Sequence, residues 1–280
     1  MTWNLVCDSS SDLTSAQLVP GKLTLTVVPL TLLVGDREFR DDARLDVDEL
    51  LHHMSAASGP SSTACPSPAA FAEAFEGADC SLCFTISGNL SGTYAAAVTA
   101  RDMVLEQHPE KKIFVLDSKS TAGALVLLIR KARALLEEGL EDFETLCRRL
   151  QEYQASLRTV FTLENFDNLV KNGRMKPLLG SLLHTLGVHV VAEGTREGTI
   201  KMVGKARGER STLRALLSYL QTNKDCHQAE VVISHCNNLD GAQKLKEMIQ
   251  KALPVKSVST LACRGLTSFY AMEKGLILVF

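Results

Sequence analysis

The sequence has no excess of either charge. Thirty Lys and Arg stand against 32 Asp and Glu, a formal net charge of -2 over 280 residues. That balance leaves no polybasic run to neutralise a nucleic-acid backbone or to hold an anionic membrane surface. Long hydrophobic runs are missing too. The longest, Ala122 to Ile129, includes a glycine and stops at Arg130, far short of the ~20 apolar residues that span a bilayer. Met1-Thr-Trp-Asn carries no basic region followed by an apolar one, so no secretory signal is expected and the cytoplasm is the expected compartment. The eight cysteines, from Cys7 to Cys263, have no framework spacing. In that compartment they read as reduced, mostly buried thiols. There is no internal repeat and no low-complexity tract.

What remains is an ordinary globular chain, 45% hydrophobic and 22% charged, long enough for one large or two medium domains. In the first half, strand-like runs (Trp3 to Cys7, Leu23 to Val34 interrupted by Pro29, Ser81 to Ile86, Ile113 to Leu116) alternate with helix-like ones. Those are Val47 to Met54, Ala69 to Phe75 behind Pro68, Gly92 to Gln107, Thr121 to Glu138 and Asp142 to Ala155. Ser58 to Pro68, full of Ser, Gly and Pro, reads as a loop. Such alternation predicts an α/β fold with a largely parallel sheet and flanking helices. A boundary near residue 156 divides the chain into an N-terminal domain, 1–156, and a C-terminal one, 157–280. The latter shows strands at Thr159 to Leu163, Glu230 to Ser234, Ser257 to Leu261 and Leu276 to Phe280, and helices at Phe166 to Asn172, Thr212 to Gln221 and Leu239 to Lys251. With a hairpin of Gly187 to Ala192 and Thr199 to Val203, it predicts a mixed sheet with helices.

Three strands of the first half end in small hydroxyl residues: Asp8-Ser9-Ser10-Ser11, the stretch Thr85 to Tyr94, and Asp117-Ser118-Lys119-Ser120-Thr121. In a parallel sheet the carboxyl ends of strands share one edge, and ligands bind in the crevice there. Hydroxyls and free backbone N–H groups at helix starts suit an anion. Taken singly, each cluster is equally a helix cap. Thr63 and Ser67 in the Ser/Pro loop add to the set, and Ser91 is the main candidate. Arg174, in Lys171-Asn172-Gly173-Arg174, and Arg207, in Gly204-Lys205-Ala206-Arg207-Gly208, are cations in glycine-rich contexts that could neutralise a carboxylate or phosphate.

Other chemistries are less well supported. No Lys follows Gly88-x-x-x-Gly92, so the P-loop pattern fails. A G-x-S-x-G elbow needs its serine one place earlier than Ser91. A serine hydrolase or acyl transferase would use Ser91, with His235 as base and Asp8 or Asp117 as orienting acid. Cys80-x-x-Cys83, Cys226-His227 and His235-Cys236 lack metal-ligand spacing, so no metal and no cofactor is expected.

In this order, Asp8-Ser9-Ser10-Ser11-Asp12-Leu13, Thr63-Ala64-Cys65-Pro66-Ser67-Pro68, Leu90-Ser91-Gly92-Thr93-Tyr94, Asp117-Ser118 with Thr121-Ala122-Gly123, and Leu169 to Arg174 resemble the DegV family of fatty-acid-binding proteins. The resemblance covers essentially the whole chain. It implies a two-domain α/β protein that buries a long-chain fatty acid, with the carboxylate held by Thr63 and Ser91 and Arg174 near it. It also implies a separate fatty acid kinase subunit as partner, to which the acid is presented for acyl-phosphate formation, and no chemistry in the binding protein itself. Gly92, Ser118, Arg207 and Arg264 form a wider candidate set. The chain departs from the family in two places. Its T-S-Q-P-S reads T-A-C-P-S here, and the C-terminal H-x-G-P-G histidine is absent from Arg264 to Gly275. Arg264 or Arg207 is the expected substitute.

Overall fold

The computed structural model describes residues 1–19, 21–57, 59–163, 165–176, 188–222 and 229–280. Gly187, Cys226 and His227 lie outside them.

The first sheet is parallel because its central strands are short apolar runs returned by helices. Its order is β2 (Ala16–Val19), β3 (Leu23–Val28), β1 (Trp3–Asp8), β7 (Cys80–Thr85), β8 (Lys112–Asp117). β2 is the antiparallel exception at its edge. Alternate residues of β1 serve opposite faces: Leu5 and Cys7 join one core cluster and Val6 another. Helices α2 (Pro68–Glu76) and α3 (Thr93–Gln107) cover the Val6 face with Phe71, Phe75, Ala97 and Ala100. Pro68 at the first turn and Ser67 Oγ accepting from Ala70 N–H start α2. Helices α4 (Gly123–Glu137) and α5 (Phe143–Ser156) cover the other face.

Pro29 ends one strand rather than interrupting it. β3 stays in the first sheet, while β4 (Thr31–Val34) enters a small sheet between β5 (Arg37–Arg40) and β6 (Ser61–Ala64). The Gly35-Asp36 turn joins β4 to β5, with Gly35 at φ +60 as a first central glycine requires. β6 corrects the loop reading of residues 58–68: the Ser/Thr run pairs with β4 through backbone, Leu32 opposite Thr63. The small sheet packs on α1 (Val47–Ala56) and α9 (Gly265–Ala271) through Leu32, Val34, Leu50 and Phe269.

The second sheet is mixed, in the order β11 (Ile200–Arg207), β10 (Val188–Gly194), β9 (Thr159–Leu163), β14 (Leu276–Val279), β12 (Glu230–His235), β13 (Ser257–Ala262). α6 (Asp167–Lys171) follows β9. α7 (Glu209–Gln221) and α8 (Leu239–Ala252) cover one face with Leu213, Leu216, Leu245 and Ile249. The other face meets α4.

This placement explains the longest apolar run in the chain. Ala124, Val126 and Leu127 of α4 pack with Phe161, Val232, Ile277 and Val279 of the second sheet. Leu125, Leu128, Ile129 and Ala132 pack with Leu5, Leu82 and Leu116 of the first. A helix apolar all round is one buried all round. Gly123 lets its first turn approach closely, since a Cβ there would stand 2.9 Å from Val232.

Candidate functional site

One apolar pocket lies where the strand ends of the first sheet meet the second sheet. Leu30, Ile86, Leu90, Phe161, Leu163 and Ile277 are among its apolar lining. Its empty space is about 820 Å³ with the open mouth counted. Thr63, Ser91 and Arg174, three distant positions in sequence, all line it.

Each arrives from a different element. Thr63 is carried by β6, held against β4. Ser91 sits in the loop between β7 and α3, whose turn is closed by Leu90 N–H and Ser91 N–H donating to Ser87 O. Gly92 lets these two segments touch: a Cβ there would lie 3.3 Å from Cys65 Sγ. Arg174 follows α6, where Gly173 at φ +73 turns the chain. Its Nε donates to Leu90 O at 3.0 Å and its Nη1 to Asn172 O. A guanidinium has five N–H donors. Those two bonds leave three, and no ion pair among the described residues uses them.

The hydroxyls are paired in a way that leaves capacity. Thr63 Oγ1 and Tyr270 Oη are 3.0 Å apart, and Ser91 Oγ and Thr93 Oγ1 are 2.8 Å apart. Each pair shares one hydrogen and keeps one to donate. Lys119, Ser120, Thr121, Thr159 and Thr199 are further polar lining. Four of these are already engaged: Lys119 Nζ meets Asp117 Oδ2 at 2.8 Å, Ser120 Oγ lies 2.6 Å from Thr159 Oγ1, and Thr199 Oγ1 lies 2.9 Å from Thr195 Oγ1. The tip of the β10–β11 hairpin closes one side of the pocket. Ser87 Oγ donates to Gly198 O at 2.7 Å, and a Cβ at Gly198 would collide with that oxygen at 2.2 Å.

The wider candidate set does not gather here. Gly92 is exposed at the start of α3, and Arg207 is exposed on edge strand β11. Ser118 is buried in its own turn, bonded to Ser120. Arg264 points to the loop before α1, its Nη2 donating to Asp42 O at 2.6 Å. Neither arginine lines the pocket.

The Asp8-to-Ser11 cluster is structural. Asp8 accepts from Ser10 N–H and, at 2.7 Å, from Ile86 N–H, and Ser9 Oγ accepts from Leu30 N–H. Burial pushes Asp8 up to about 6 against these bonds, which favour the charged form. Asp12, in left-handed backbone at φ 60, is pushed up to about 8, again by burial, although Arg264 N–H bonds it at 2.7 Å. Burial also raises Asp41, whose oxygens accept from Gly265 and Leu266 N–H.

The hydrolase arrangement is not assembled. Ser91 Oγ bonds Thr93, while His235 is outside the pocket lining and its Nδ1 has no partner among the described residues. Burial lowers that histidine's pKa. Asp117 accepts from Gly88 and Lys119 N–H, a turn role. No three His, Cys, Asp or Glu among the described residues gather as a metal centre. Of the seven described cysteines, all free, Cys65 is exposed and Cys147 half-buried; the rest are buried. No described helix is long and apolar enough to cross a membrane.

The residues missed from sequence are on α9. Leu266 and Tyr270 line the pocket. Their four-residue spacing puts them on one helix face, the signal that could have found them.

A model described as "Uncharacterised protein, DegV family" matches residues 2–275. A DegV domain-containing protein of Streptococcus pneumoniae is 37% identical over 278 residues, covering 99% of this chain and 98% of that one. The structure of the Streptococcus pneumoniae Fatty Acid Kinase (Fak) B3 protein loaded with linoleic acid superposes with a TM-score of 0.94 at 37% identity, covering 100% and 99% of the two chains. A DegV family protein from Eubacterium eligens loaded with heptadecanoic acid gives 0.92 at 33% identity, covering 99% of each.

Proposed function

The chain belongs to the DegV family, and on that premise we propose that it binds one long-chain fatty acid, tail in the apolar pocket and carboxylate held by Thr63, Ser91 and Arg174. One observation carries this reading. Three groups able to donate to an anion line the same apolar pocket, and the cation among them has no carboxylate partner among the described residues. The linoleic and heptadecanoic acids carried by the two similar structures support the choice of ligand.

The energetics suit such a ligand. Each buried CH₂ contributes about 0.8 kcal/mol, so a long tail supplies roughly 10 kcal/mol before ordering costs. A hydrogen bond to a charged head contributes ~1.5–3 kcal/mol. Tail burial dominates affinity, and the head groups fix orientation. A buried carboxylate without partners would be costly. Two hydroxyls and one arginine meet that need without nucleophile or metal, so the reading is of a binding protein. The name of the linoleate-loaded relative supports a further step, presentation of the bound acid to a separate kinase subunit. The division at residue 156 belongs to the same reading, with the Thr63 strand and the Ser91 loop on one side and the closing apolar wall on the other.

Native mass spectrometry followed by solvent extraction tests the proposal. One acyl chain per protein, retained through purification, is the expected result. A protein that is empty and takes up no added fatty acid overturns it.

A further inference from the structure

We propose that Tyr270 of α9 is a specificity residue of the head-group site, donating its phenolic hydrogen to the carboxylate beside Thr63. This rests on the fatty-acid reading above and adds a residue that none of the sequence motifs contains.

Tyr270 lines the pocket, and its Oη lies 3.0 Å from Thr63 Oγ1. The two hydroxyls have two hydrogens and spend one on each other. The other is left for a third group, since neither hydroxyl has a further hydrogen-bond partner among the described residues. A carboxylate at this spot takes that hydrogen in a charge-assisted bond, while an alcohol or ester accepts it far more weakly. The pair therefore selects for the ionised head group as well as adding affinity.

The geometry is fixed before any ligand arrives. α9 has no hydroxyl or carboxyl of its own at the N-cap, where Arg264 stands. Asp41 caps it from 224 positions away, its two oxygens taking Gly265 N–H at 2.9 Å and Leu266 N–H at 2.8 Å. Arg264 N–H bonds Asp12, and the Arg264 guanidinium bonds Asp42 O. Gly265 permits this clasp, since a Cβ would stand 2.5 Å from Asp41 Oδ1. At the other end, Asn168 Nδ2 donates to Phe269 O at 2.7 Å, and the Tyr270 ring meets Phe269 edge-on at 5.0 Å. A donor held this way loses little entropy on binding.

The test compares Tyr270→Phe, which keeps the ring, with the unaltered protein, using hexadecanoic acid and hexadecan-1-ol as probes and calorimetry as the readout. Thr63→Val and the double variant complete a cycle. Acid affinity should fall about tenfold to a hundredfold in Tyr270→Phe while alcohol affinity changes far less. The double variant should lose less than the product of the two single losses. Equal losses for acid and alcohol, or no loss for either, overturn the role of Tyr270. Failure of the unaltered protein to bind either probe would instead sink the fatty-acid reading itself.

Discussion

Seen from the pocket, β7 and β8 end where β9 and β14 pass by. The first sheet presents its strand ends: Leu90 and Ser91 beyond β7, Lys119 to Thr121 beyond β8. The second presents a strand face, with Phe161 and Leu163 of β9 and Ile277 of β14, Phe161 and Ile277 being directly paired. A strand end leaves backbone groups and hydroxyls uncommitted. A strand face has its backbone consumed by the ladder and offers side chains alone. Two sheets used in different orientations thus supply a polar and an apolar side, and Thr63 of the small sheet and Arg174 after α6 add to the polar one.

Phe161→Ala strikes the face hardest. Removing a buried Phe costs ~3–5 kcal/mol of stability, measurable by denaturant unfolding. Acid and alcohol affinities should fall together, because a phenyl ring offers no hydrogen bond to either head group. Selective loss of the acid would break the division between face and ends. Arg174→Ala strikes the polar side, where Arg174 reaches the strand-end loop through Leu90 O. We expect acid binding to weaken by ~1.5–3 kcal/mol, with the matching alcohol nearly unaffected and the fold intact; equal losses in a titration of both ligands would show that Arg174 does not read charge.

The last effect is a slope. Asp12 sits in the turn after β1 and reaches Arg264 of the second half. Its folded pKa, about 8 against an ordinary 3.8, means that the native state holds a proton the unfolded chain has released across that window. Its stabilising contribution is therefore full below about pH 4 and lost as the pH rises through about 8. Asp12→Asn keeps the acceptor and tolerates the left-handed backbone, so its Tm should decline less over that window. Parallel Tm curves for the two proteins would show that Asp12 does not ionise there.

Strands β1, β7 and β8 and helix α4 are legible in the sequence because each is an apolar run closed by a polar turn. Thr63, Ser91 and Arg174 were reachable through their motifs, and all line one pocket. β6 was not legible. Ser61 to Ala64 has no apolar alternation and becomes a strand only by borrowing the backbone of β4. Nor was α9, whose cap is Asp41, a residue no local pattern could connect to Gly265. The Asp8 cluster misled in the opposite sense. Its Asp8 carboxyl and its Ser9 and Ser11 hydroxyls look like a ligand site and are spent on internal N–H groups.

Helix α4 belongs to two cores at once, and this bears on how the molecule comes apart. Neither half can lose its packing without stripping one side of that helix. The halves are therefore a single cooperative unit, melting in one transition despite having separate sheets. The amides of Leu125 to Ile129 would exchange with solvent only through global unfolding, more slowly than those of the peripheral hairpin β10–β11.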